Sequence, residues 1–193
     1  MTERDARGRK TADLNAKTLR AMAHPLRVRL VGILRMDGPA TATGLAKRVG
    51  ESSGTTSWHL RQLAEVGMVE EDADRGNKRE RWWRAAHAGH RTGHELYSDP
   101  ELAGPASDYL HSILTTHYRA AADFVSERQE WPAWQGAWDF SDYLLHLTPE
   151  KARELNEKVD ALVESYRRDP GEGDELVAVQ WHAFPRKRHP ERP

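Results

Sequence analysis

The sequence predicts a mainly α-helical fold with small β elements, and three observations predict it. Apolar residues recur at spacings of three and four between turn residues from Leu14 to Leu63, the signature of short amphipathic helices. Two of those helices are separated only by Gly50-Glu51, a tight turn, and the second exposes polar groups; such a pair forms a helix-turn-helix. Directly afterwards, residues 68–71 and 79–84 read as two strands around Gly76-Asn77, a hairpin that stands beside the second helix as a wing. A long helix and a C-terminal strand-helix-strand unit complete the expected architecture.

In chain order, residues 1–11 are polar and charged and read as a flexible tail. A helical pattern begins at Asp13 and offers Leu14, Leu19 and Met22 for packing. His24-Pro25 interrupts it, because the residue before proline is pushed out of helical geometry while proline suits the first turn of the next helix. That helix, 25–36, buries Leu26, Leu30, Ile33 and Leu34 and ends at Asp37-Gly38-Pro39. Residues 41–43 can cap a third helix over 44–49, with Leu45 and Val49 on one side.

The next helix, 52–66, has Ser52 as its expected N-cap. Thr56, Leu60 and Leu63 form a stripe to be buried, while Gly54, Ser57, Trp58 and Arg61 project the other way. The exposed face therefore carries hydroxyls, an aromatic ring and a guanidinium, and the helix start adds positive dipole and unpaired N–H groups suited to a phosphate. Gly67 is placed to close the helix in left-handed geometry. At the wing, Arg75, Lys78 and Arg79 are candidates for phosphate or minor-groove contact. Glu71, Asp72 and Asp74 sit beside them, so a solvated, mixed-charge hairpin is the competing reading.

Charge is divided along the chain. Residues 1–97 hold 18 Lys and Arg against 12 Asp and Glu, whereas residues 98–193 hold 11 against 18, within a net charge of −1. A basic half next to an acidic one suggests that the first meets a polyanion. The chain has no cysteine, which rules out a disulfide framework, a thiolate metal site and a thiol nucleophile. No apolar run approaches the roughly 20 residues that span a bilayer, and the charged N-terminus does not read as a secretory signal. A cytoplasmic protein without membrane contact is expected.

Residues 19–27, L-R-A-M-A-H-P-L-R, followed by residues 57–69, S-W-H-L-R-Q-L-A-E-V-G-M-V, resemble the winged-helix repressors of the ArsR type over about residues 12–86. The resemblance implies a homodimeric DNA-binding regulator whose two recognition helices enter successive major grooves of an imperfectly palindromic duplex. It also implies that Ser53, Thr55, Ser57, Trp58 and Arg61 face DNA while His59 packs beneath the helix. The metal sensors of that family often carry cysteines on the helix equivalent to 44–49, and this chain has none. Their other site uses Asp and His on the dimerisation helix; here Asp108, His111 and His117 fall in that region. Positions 111 and 117 lie about 600° apart around a helix, a poor arrangement for one ion. His87, His90 and His94 would align only on a helix, and Gly89 and Gly93 favour a loop. No metal site or cofactor is assigned, and a His-ligated metal-sensing repressor is kept as an alternative.

Residues 87–98 accordingly read as a linker. From 100 to 129 a long helical pattern presents Tyr109, Ile113, Leu114, Tyr118 and Ala121, a stripe that needs a partner helix; the resemblance implies the same helix of a second subunit, and the other reading is that the helix folds back on its own domain. Trp131, Trp134 and Trp138 either cage a ligand or staple a loop to a core. Residues 140–147 and 176–184 alternate like strands around a helix that begins at Thr148-Pro149-Glu150 and carries Leu155, Val159, Leu162, Val163 and Tyr166. This terminal unit, within a region running from 99 to 193, would shape the dimer or hold an unidentified small-molecule effector. No phosphate loop, nucleophile elbow or metalloprotease motif is present, so catalysis is not expected. The remaining alternative is a winged-helix module that binds a protein and no specific DNA.

Overall fold

The computed structural model describes residues 11–75, 80–91 and 94–187, which divide into two compact units, one up to Arg128 and the other from Gln129. In the first unit, β1 (Thr11–Asp13) precedes α1 (Ala16–Met22), so the helix expected from Asp13 starts three residues later. Its true start is a reciprocal cap: Asn15 Oδ1 accepts from the Thr18 N–H at 3.0 Å, and Thr18 Oγ1 accepts from the Asn15 N–H at 2.7 Å. Helix α2 (Pro25–Met36) has proline in its first turn and His24 as N-cap. It buries Val28, Leu30, Val31, Ile33 and Leu34, whereas Leu26, expected inside, is half-buried.

After Gly38, which turns with φ 87°, β2 (Ala40–Thr41) leads into α3 (Ala42–Val49), capped by Thr41. Gly50 closes α3 at φ 77°, a conformation cheap only for a residue without Cβ. Helix α4 (Ser53–Glu65) follows, and Gly67, at φ 72°, turns the chain into β3 (Val69–Glu71). The second strand of the hairpin is β4 (Trp82–Ala85), displaced toward the C-terminus from the expected 79–84. Trp83 and Ala85 supply its buried face, and burying that large ring decides the register, which pairs Val69 with Ala85 and Glu71 with Trp83. Strand β2 adds to the other edge of β4, giving an antiparallel sheet of order β2-β4-β3. Two residues are too few to display alternation, which is why β2 escaped the sequence. The expected Gly76-Asn77 turn lies outside the described residues, as do nearly all of residues 1–11.

The segment 87–98, expected as a linker, is built into the fold. Gly89–Arg91 forms β5, paired in parallel with β1, and α5 (His94–Ser98) follows. Arg35 fastens the approach: its Nε donates to the His87 carbonyl at 3.1 Å and its Nη1 lies 2.7 Å from His90 Nδ1. Helix α6 (Ala103–Glu127) then packs Leu102 at its N-cap, Ala106 and Tyr109 into a core shared with Leu19, Met22, Leu30 and Leu34. Only one side of α6 is used in this way. Leu110, Leu114, Tyr118 and Val125 remain exposed along another.

In the second unit, α7 (Pro149–Ser165) starts at the expected place, with Thr148 Oγ1 accepting from the Lys151 N–H. The flanking strands expected at 140–147 and 176–184 do not form. Tyr143, Leu145, Leu147, Val177 and Val179 are all exposed, because alternation becomes a strand only where another strand completes its hydrogen bonds. Of the three tryptophans, Trp131 and Trp138 are exposed and Trp134 is half-buried, and Trp138 meets Phe140 edge-on at 6.1 Å. Trp181 Nε1 donates to Asn156 Oδ1 at 2.9 Å, which ties the C-terminal segment to α7.

Candidate nucleic-acid interface

Helix α4 is held from below and left bare above. Thr56, His59, Leu60 and Leu63 are buried, while Ser53, Gly54, Thr55, Trp58 and Arg61 are exposed and Ser57 is half-buried. The cap at its start is formed: Ser52 Oγ accepts from the Thr55 N–H at 3.0 Å, satisfying one donor of the first turn. Ser52 Oγ also lies 2.8 Å from Thr55 Oγ1, so the Thr55 hydroxyl is already engaged by the cap. Trp58 is 49% exposed, which leaves much of its indole open to solvent.

His59 takes the inward position expected of it. Its ring lies 4.5 Å from that of His24 and meets Trp58 edge-on at 4.8 Å. Burial, with smaller contributions from His24 and Arg27, holds the His59 imidazole below its usual range, so it is neutral at pH 7. A neutral ring beneath the helix supports α4 without placing a fixed charge under the exposed face.

A cleft of about 410 Å³ opens beside that face, bounded by Thr41 and Thr43 at the start of α3, Ser57 and Arg61 on α4, and Glu80, Arg81 and Trp83 toward the hairpin. Arg61 makes no hydrogen bond or ion pair among the described residues and is free to meet an acceptor across the cleft. Arg81 pairs with Glu71 at 3.1 Å and lies over the Trp83 ring at 5.8 Å. Thr43 and Arg81 were missed from the sequence. The alternation of 81 and 83 was visible there, but nothing in it indicated which side of β4 turns toward α4.

The wing candidates divide. Arg75 is exposed and lies 3.5 Å from the buried Asp72 carboxylate, a weak restraint on a long side chain. Lys78 and Arg79 lie outside the described residues. At the base of the hairpin, Arg84 and Glu70 pair across the strands at 2.9 Å.

Two of the histidines considered as ligands, His90 and His111, make other contacts. His90 faces Arg35 and lies 5.6 Å from the Tyr109 ring. Burial, aided by Arg35, pushes its pKa down to about 3. His111 is exposed on α6, with Nδ1 2.8 Å from the Ser107 carbonyl. Among the described residues, no three His, Asp or Glu side chains lie close enough to hold one metal ion. No described helix is long and apolar enough to cross a membrane.

Residues 22–72 match a family model described as a helix-turn-helix domain. No curated protein matches the chain. Among solved structures, a double mutant of ZitR from Lactococcus lactis in apo form is similar at 12% identity and a TM-score of 0.33, over 75% of this chain and 83% of that one. The adhesin competence repressor AdcR from Streptococcus pyogenes is similar at 14% identity and a TM-score of 0.32, over 72% and 79%. These likenesses are loose. The family match and the hairpin after α4 agree: this part of the chain is a helix-turn-helix domain with a wing.

Proposed function

We propose that the protein is a sequence-specific DNA-binding transcriptional regulator, a repressor that acts as a symmetric dimer in the cytoplasm. The observation that carries the reading is the bare outer face of α4, where Trp58 and Arg61 stand exposed over a supporting layer of Thr56, His59, Leu60 and Leu63. In this reading the helix enters the major groove, Arg61 and Ser57 approach base edges, and Trp58 touches a thymine methyl. Ser53 and Thr55 approach the backbone at the helix start, and the wing around residues 72–79, with Arg75, Lys78 and Arg79, lies on the backbone or in the minor groove. The exposed apolar side of α6 gives a second copy its seat. Two recognition helices roughly 34 Å apart require an imperfectly palindromic site.

Selection of bound sequences from random duplexes with the purified protein tests this reading. The expected result is a palindromic consensus that weakens or blurs with Arg61→Ala and with Trp58→Ala, each costing about 1–3 kcal/mol. Absence of any enriched sequence refutes sequence-specific recognition.

A further inference from the structure

A crevice of about 490 Å³ opens between the corner joining α1 to α2 and the middle of α6. Arg20, His24 and Arg27 line it from the corner and His111 from α6, where Asp108 supplies the one lining carboxylate; Pro25 adds an apolar wall. Arg27 Nε is buried and makes no hydrogen bond. A charged donor left in that state is costly, and a carboxylate is the partner whose geometry fits a guanidinium. His24 contributes a second donor. Its Nδ1 accepts from the Leu26 N–H at 3.2 Å, and burial holds the ring below its usual pKa, so the neutral imidazole carries its proton on Nε2.

The same His24 reaches the underside of α4. Its ring lies 4.5 Å from His59, whose Nδ1 is buried without a hydrogen bond, and His59 in turn meets Trp58 at 4.8 Å. The crevice wall and the exposed face of α4 are therefore joined by three rings in contact. We propose that this crevice binds a small monocarboxylate with an apolar body, held by Arg27 and His24, and that its occupancy is felt at Trp58 through His24 and His59. Asp108 opposes a second negative charge, which favours a monocarboxylate over phosphate. The binding stands apart from the function proposed above; only its consequence for DNA rests on that reading.

The test is a titration of the full chain with benzoate, followed by calorimetry and by the NMR resonance of the Trp58 indole, assigned with Trp58→Phe. Expected are saturable binding, a weakening of at least tenfold in Arg27→Gln, a several-fold tightening in Asp108→Asn, and a Trp58 shift that His24→Leu abolishes. Non-saturating heats, equal affinity in Arg27→Gln, or phosphate binding as well as benzoate overturns the site. If Arg27→Gln fails to fold, Asp108→Asn decides, and an unchanged affinity there overturns it. Binding without a Trp58 shift overturns the coupling. Because neither readout involves DNA, failure of the regulator reading appears separately, as absence of duplex binding.

Discussion

Thr56 offers a test in which a substitution on the buried face of α4 raises stability. Its side chain is fully buried under α4, yet Oγ1 has no hydrogen-bond partner. A buried hydroxyl left unsatisfied costs about 1–3 kcal/mol, since the bond it makes to water in the unfolded chain is not replaced. Thr56→Val exchanges that hydroxyl for a methyl of similar size. It removes the penalty and adds the transfer gain of a small apolar group, about 0.8 kcal/mol. Some of this is lost to imperfect packing, because the two side chains are not true isosteres in a tight core. The net expectation is a stabilisation of about 1 kcal/mol, or roughly 4 °C in Tm for a unit of this size. Urea unfolding followed by circular dichroism, with the slope m unchanged, reads it directly. Duplex affinity should not change, since Thr56 faces away from the exposed side of α4. A destabilised Thr56→Val protein refutes the reasoning, because it means that the hydroxyl is satisfied and contributes to holding α4.

Three further outcomes follow from the geometry. Ser52→Ala removes the cap of α4 and should cost about 1 kcal/mol in urea unfolding, with Ser52→Asp close to the parent protein. His90, held neutral by burial and Arg35 with a pKa of about 3, binds its proton far less readily when folded than when unfolded. Its contribution is therefore complete above the unfolded pKa near 6.5 and is lost as pH falls toward 3, at up to about 1.4 kcal/mol per pH unit. Unfolding free energies measured across pH 7 to 4 should show this slope, and His90→Gln should flatten it. Leu114→Glu, on the exposed side of α6, should abolish the proposed dimer, read as a monomer mass in sedimentation where the parent protein sediments as a dimer, while leaving the helical circular dichroism of the chain intact.

The sequence by itself determined the parts of this protein whose information is local. Ser52, Thr41 and Thr148 cap their helices because a short hydroxyl side chain can satisfy a backbone donor within three residues. Gly50 and Gly67 turn where positive φ is needed, and the two faces of α4 follow from its spacing of three and four. Tertiary structure alone decided what depends on distant partners. Strand β5 exists because residues 11–13 lie beside it, and the histidine segment expected as a loop is fixed because Arg35 reaches it from α2. The hairpin register slid to bury Trp83, and Arg81 thereby came to line the cleft beside Arg61. The same dependence accounts for the strands that did not form: residues 140–147 and 176–184 have the alternation of strands, but a ladder needs a neighbour to accept its hydrogen bonds, and chain-local pattern cannot supply one.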